Sequence, residues 1–329
     1  MKKTTTLSKC AFAMVLALPV SVHAATAADA AKTYPNRPIR LLMPNAPGSS
    51  TDALARIVAT RLSEVLGQQV VLDNRPGAGG VLGMEIAKNA NPDGYTLISA
   101  STAAMSIAPH IHTKLPYDPV NDYAFLSLFA VTPNVLVVNP ALPVKSMKDL
   151  IELARAKPGQ INMASAGAGS QSHLAGVLLT TMGKFESLHV PYKGGGSTPA
   201  VAAGESHWSI NPAPSVQGLV KAGRLRAIGH SMPKRSQLLG DLPAIAETVP
   251  GYDYSGWQGL LAPRATPKPI LDKLREALIK TVNLPEVRNA LTNQGAEIVT
   301  NTPDEFRRFV QEETRKLGPV VKSAGLKVE

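Results

Sequence analysis

The chain has 329 residues, 44% of them apolar, with a formal net charge of +10 and one cysteine. That length supports two domains with ordinary hydrophobic cores. Its Lys and Arg are spread along the chain in runs of no more than two, with no basic run interleaved with aromatics, so the charge marks a solvated surface and mild steering of anions, and nucleic-acid binding is excluded.

The first 24 residues read as an export signal. Lys2, Lys3 and Lys9 form a basic start, residues 11–20 an apolar core, and Val22-His23-Ala24 a small-residue cleavage site. The apolar run falls well short of the roughly 20 residues a membrane span needs. A mature periplasmic chain starting near Ala25 is predicted, its charge lowered from +10 to +7 by the loss of those three lysines. Cys10 leaves with the leader, so the mature chain has no disulfide, redox pair or thiol nucleophile.

Beyond the leader, strands and helices alternate. Residues 39–43 read as a strand. Residues 52–66 read as a helix with Leu54, Ile57, Val58, Leu62 and Val65 on one face, stopped by Gly67. Strand 70–72, helix 80–89 and strand 95–99 complete a βαβαβ unit, which implies a parallel sheet. An irregular stretch over 101–123 leads to a strand at 134–139, the expected first crossing between domains. Ser146 and Asp149 form a partial capping box for the next helix, which Lys157-Pro158-Gly159 ends. Strand 161–164, helix 172–181, strands 188–190 and 208–210, helix 214–222 and strand 224–229 make a second α/β unit. The tail reads as three helices, 267–282, 285–293 and 303–317, each with Pro at its start, the last kinking at Gly318-Pro319.

Two strand-to-helix loops stand out: PNAPGSSTD at 44–52 and ASAGAGS at 164–170. Each supplies free N–H groups at a helix start, after Pro47-Gly48 and after Gly167-Ala168-Gly169, beside the hydroxyls of Ser49, Ser50, Thr51, Ser165 and Ser170. Such groups either grip an anion or simply cap their helices, and loop chemistry alone leaves both readings open. The glycines at 77, 79, 80 and 83 miss the dinucleotide spacing and read as close helix-to-sheet packing. No P-loop or nucleophile elbow occurs. His110 and His112 lack partners at metal-ligand spacing. His173, one turn into its helix, reads as fixing the loop rather than as a general base. No cofactor, no metal and no catalytic residue is expected.

Taken with YPNRPIRLLMPNAPGSSTD (34–52), NRPGAGG (74–80), PDGYTL (92–97), LPYDPVNDY (115–123), ASAGAGSQSHLAG (164–176), HVPYKGGG (189–196), KAGRLRAIG (221–229) and GLLAPRATPKPILDKL (259–274), the two loops make the chain resemble the Bug-type extracytoplasmic receptors of tripartite tricarboxylate transporters. The resemblance implies an α/β fold of the two-domain periplasmic binding-protein kind (type II-like), each domain a mixed, mostly parallel sheet flanked by helices, with the ligand cleft between them. Domain 1 is expected over 34–134 and 232–329, domain 2 over 135–231. It implies a monomer without catalytic activity that delivers a small carboxylate to membrane permease subunits. A sensory module docking a receptor kinase and an enzyme on the same scaffold are the rivals. Carried over by position, the grip falls on Gly48, Ser49, Ser50 and Thr51 and on Ser165, Gly167, Ala168, Gly169 and Ser170, with Ser101 and Thr102 lining the same cleft. The chain departs from the family pattern at Asn45 (usually aromatic), Ser49 (usually Gly), Val177 (commonly Glu) and His207 (usually Asp). These exchanges favour a di- or tricarboxylate, an oxygenated acid or an aromatic acid over an amino acid, with His207 expected to strengthen acid binding as pH falls.

Overall fold

A computed structural model describes residues 32–192 and 196–326; the expected leader lies outside them. Two five-stranded mixed sheets, each flanked by helices, organise the described residues. In the first, β1 (Ile39–Met43) lies parallel between β2 (Val70–Asn74) and β3 (Thr96–Ser101), joined through α1 (Ser50–Leu66) and α2 (Val81–Lys88). The expected βαβαβ unit is there. Gly67 ends α1 in the left-handed conformation at φ 68°, where a residue without Cβ carries no steric penalty. After β3 comes a π-turned segment, Ala103–Ile107, and the short α3 (Ala108–Ile111).

Two strands of this sheet depart from the sequence reading. β4 (Tyr123–Thr132) falls where no strand was expected before residue 134, and β10 (Gly256–Pro263) runs antiparallel between β3 and β4. The first eight residues of β4 and the last seven of β10 are buried, so neither shows the alternation that marks a half-exposed strand. Gly259 serves packing: a Cβ there would stand 2.2 Å from the Phe306 ring.

Pro133 alone separates β4 from β5 (Asn134–Val138), which belongs to the second sheet. That sheet has the order β7-β6-β8-β5-β9 and is built from β6 (Asn162–Ser165), β7 (Leu188–Pro191), β8 (Trp208–Pro212) and β9 (Arg226–His230). β6 is parallel to β7 and β8, and β5 is antiparallel to β8 and β9. Its helices are α4 (Met147–Ala156), α5 (Gln171–Gly183), α6 (Ser197–Ala203) and α7 (Ala213–Lys221). The Ser146–Asp149 box at α4 is complete, with both reciprocal hydrogen bonds made.

Where the chain passes between the sheets, its segments are tied to each other. Asn134 N–H donates to Ser231 Oγ at 2.8 Å, Asn134 Nδ2 to the Tyr254 carbonyl at 2.8 Å, and the Ser231 and Ser255 hydroxyls lie 3.0 Å apart. Ile245, Val249, Tyr252 and Tyr254 pack into the core of the second sheet, although they follow residue 232. The tail helices are α8 (Lys268–Val282), α9 (Pro285–Asn293) and α10 (Pro303–Ser323). α10 runs through Pro319 instead of stopping near 317. Phe306 and Val310 are buried against the first sheet, while Leu317, Val320 and Val321 are buried against the second, so packing on both sides of the proline holds the helix together.

Candidate functional site

α1 and α5 begin alike. In each, the N-cap is a serine whose Oγ accepts the N–H of the third helical residue: Ser49 from Asp52 at 3.3 Å, Ser170 from His173 at 3.2 Å. Each N-cap hydroxyl also pairs with a hydroxyl two residues on, Ser49 with Thr51 at 3.0 Å and Ser170 with Ser172 at 3.1 Å. The third residue then reaches back to the loop: Asp52 Oδ2 accepts the Gly48 N–H at 2.9 Å, and His173 Nδ1 accepts the Gly169 N–H at 3.1 Å. Gly48 and Gly169, at φ 78° and 76°, sit just ahead of their serines in a backbone region that favours glycine. The two halves of the chain thus build one capping device twice, and the N–H groups of the first helical residues, Ser50 and Thr51, Gln171 and Ser172, have no upstream helical carbonyl.

The third residues differ in charge. Asp52 is buried; burial alone raises its carboxyl pKa, but hydrogen bonds from Arg56, Asn74 and Gly48 N–H outweigh that and hold it below the ordinary carboxylate value. Arg56 Nε lies 2.8 Å from Asp52 Oδ2, and Asn74 Nδ2 lies 2.8 Å from Oδ1, so the acid is consumed in holding the loop. His173 is buried and stacks on His189 with ring centroids 3.9 Å apart. Burial first, and the neighbouring imidazole second, lower its pKa to about 4, which keeps Nδ1 an acceptor at neutral pH. It fixes the loop, as expected.

Both helix starts face one cavity of about 590 Å³ between the sheets, at the carboxyl ends of β1, β3, β6 and β8. Of the residues expected there, Asn45, Ser49, Ser50, Thr51, Ser101, Thr102, Ala168, Gly169 and Ser170 line it. Gly48, Ser165 and Gly167 do not. The Gly48 N–H is spent on Asp52. Ser165 is fully buried, with its hydroxyl 2.6 Å from His189 Nε2 and accepting the Gly167 N–H at 3.1 Å, so it braces the loop from behind. His207 is a correction. It precedes β8, whose other end, Pro212, touches the cavity five residue steps and roughly 16 Å away. Its N–H donates to Asn162 Oδ1 at 2.8 Å, and its Nδ1 lies 2.7 Å from that oxygen and 3.1 Å from the Asn162 nitrogen, so the ring is turned onto Asn162. Burial lowers its pKa, and its place at the far end of β8 keeps it out of the cavity wall.

The sequence reading missed the rest of the wall. Ala78 and Gly79 come from the glycine turn, and Ile107, Ala108, Ile111 and His112 from the π-turned segment and α3. Gly256, Trp257 and Gln258 enter with the unforeseen β10, and Gln171 crosses from the second sheet to lie against Gly256. Among the described lining residues there is no Asp, Glu, Lys or Arg, and His112 alone is ionisable. Asn45 Oδ1, Ser101 Oγ, Gln171 Nε2, Trp257 Nε1 and Gln258 Oε1 are buried without a hydrogen-bond partner in the protein.

Two α/β units joined by crossing segments, with paired helix starts opening on a cavity between them, define a two-domain solute-binding fold. A sequence model described as the tripartite tricarboxylate transporter family receptor matches residues 54–326, and the chain belongs to that family of periplasmic receptors. It is 34% identical to Protein BugT of Bordetella pertussis over 320 residues, 96% of this chain and 98% of the relative. A Rhodopseudomonas palustris protein solved with adipate is similar at a TM-score of 0.76 and 34% identity, over 90% of this chain and 100% of that one. MatC from Rhodopseudomonas palustris, solved with bound malate, is similar at a TM-score of 0.72 and 29% identity, over 88% and 100%.

Proposed function

We propose that this receptor captures a small carboxylate between the starts of α1 and α5 and, as a monomer, hands it to the membrane subunits of a tripartite transporter. The observation that carries the reading is the duplicated capping device. Its serines and third residues are turned onto their own loops, so the first-turn N–H groups are what the two helices offer to the cavity. Each helix start carries roughly half a positive charge. Hydrogen bonds to an ionised partner contribute about 1.5–3 kcal/mol each, so four give roughly 6–12 kcal/mol gross, compatible with micromolar binding after the cost of association. The adipate and malate held by the two structural relatives support the same class of ligand. Ser50, Thr51 and Gln171 offer the N–H groups of the proposed grip, with Ser49, Gly169 and Ser170 shaping it and Asn45, Ser101, Thr102 and Ala168 beside it.

The proposed division places residues 34–132 and those from β10 to the middle of α10 in one unit, and residues 134–254 in the other. The expected boundary at 231/232 moves because Ile245, Val249, Tyr252 and Tyr254 pack with the second sheet. Pro133, Ser231 and Ser255 are the proposed hinge points for closure on ligand. Export with removal of the leader after Ala24 completes the reading. A thermal-shift screen of carboxylates beside their uncharged amides tests it: an acid at 100 times its dissociation constant stabilises by about 2.7 kcal/mol, and the amide does not. Equal shifts for acid and amide contradict a grip built for charge.

A further inference from the structure

The unpartnered atoms of the cavity are not all donors. Gln258 is 2% exposed, and its Nε2 donates to the Thr51 carbonyl at 2.9 Å in the first turn of α1. That bond fixes which way the amide faces, since a reversed amide would set two carbonyl oxygens against each other. The Oε1 left over is a buried acceptor without a partner in the protein, on a residue of the cavity wall. An acceptor stranded in this way costs about 1–3 kcal/mol unless a donor meets it.

A carboxylate cannot meet it, because an ionised carboxylate only accepts hydrogen bonds. A ligand bearing an ammonium could, but no Asp or Glu is found among the described lining residues, so that charge would be desolvated without a counter-ion. A hydroxyl donates without bringing charge. It also accepts, and Gln171 Nε2 is a buried donor with no partner in the protein, on a residue of the same wall. Ile107, Ala108 and Ile111 supply an apolar wall for the carbon skeleton.

We infer that the ligand is a hydroxycarboxylate, its acid group on the helix starts and its hydroxyl donating to Gln258 Oε1, and that Gln258 selects it over the acid lacking that hydroxyl. The inference rests on the carboxylate reading above and narrows it. Gln258 is a specificity residue here, and nothing in its role requires chemistry on the ligand.

The test is calorimetry with matched pairs: malate and succinate, 2-hydroxyglutarate and glutarate, lactate and propionate, 4-hydroxybenzoate and benzoate, with aspartate as the amino counterpart of malate. In the wild type the hydroxylated member of the tightest pair binds at least about tenfold better than its partner, the scale of one hydrogen bond to a buried group. Aspartate binds more weakly than malate. In Gln258→Met, which keeps the length and removes the acceptor, that preference falls to within about threefold. Equal binding within every pair, tighter binding of the unhydroxylated member or of aspartate, or a preference that survives in Gln258→Met overturns the inference while the carboxylate reading stands. Absence of binding by every acid overturns both. Should the variant fail to fold, the wild-type pairs decide by themselves.

Discussion

His173 gives the second loop a dependence on acid that can be calculated. Its Nδ1 accepts the Gly169 N–H at 3.1 Å, and a proton on that nitrogen removes the acceptor. Burial, with His189 stacked against it, lowers the pKa from 6.5 to about 4. The folded value lies below the unfolded one, so the unfolded chain takes up the proton first; the contribution is whole above about pH 6.5 and is lost as pH falls toward 4. The full displacement corresponds to roughly 3 kcal/mol, and about 2 kcal/mol of it is gone at pH 5 relative to pH 8. His173→Asn keeps an acceptor at the same branch of the side chain and does not titrate. Urea unfolding of both proteins at pH 8 and pH 5 should show the wild type losing about 2 kcal/mol more than the variant across that range. Equal losses would refute the argument that a neutral imidazole holds the loop.

Two further substitutions separate packing from binding. Gly259→Ala brings a Cβ to 2.2 Å from the Phe306 ring, which is itself edge-on to Phe125 and Trp257; the overpacking should cost about 1–3 kcal/mol in chemical unfolding. His207→Ala removes the ring that pairs with Asn162 and should cost about 1 kcal/mol, with acid affinity and its pH profile unchanged by calorimetry; a weakened or flattened profile would return His207 to the cleft.

What the sequence revealed divides by how local the determinant is. The Ser146 box, the Gly67 stop and the two Gly-Ser loops lie within a few residues of the structure they specify, and each appears where it was expected. β4 and β10 were hidden because strands buried on both faces show no period. With β10 went Trp257 and Gln258, which enter the cavity from more than 150 residues beyond Ser101 and Thr102. His112 was legible as a residue but not as part of a wall, since its place depends on how the π-turned segment folds over the end of β3. His207 failed for the converse reason: a departure from a family pattern names a residue, while the end of the strand it occupies is a matter of topology.

The account's central claim is that first-turn N–H groups of α1 and α5 hold the acid, and proline substitution tests it one donor at a time. Ser50 and Gln171 are the first residues of their helices, where proline is accepted and removes only an N–H that the helix does not use. The residues before them, Ser49 at φ −68°, ψ 159° and Ser170 at φ −66°, ψ 161°, already have the extended backbone that a following proline demands. Calorimetry with the tightest-binding acid of the screen should show Ser50→Pro and Gln171→Pro each weakened by about 1.5–3 kcal/mol, roughly 10- to 150-fold, relative to Ser50→Ala and Gln171→Ala, with melting temperatures matching those controls. Proline variants that bind as tightly as their alanine controls would contradict the claim.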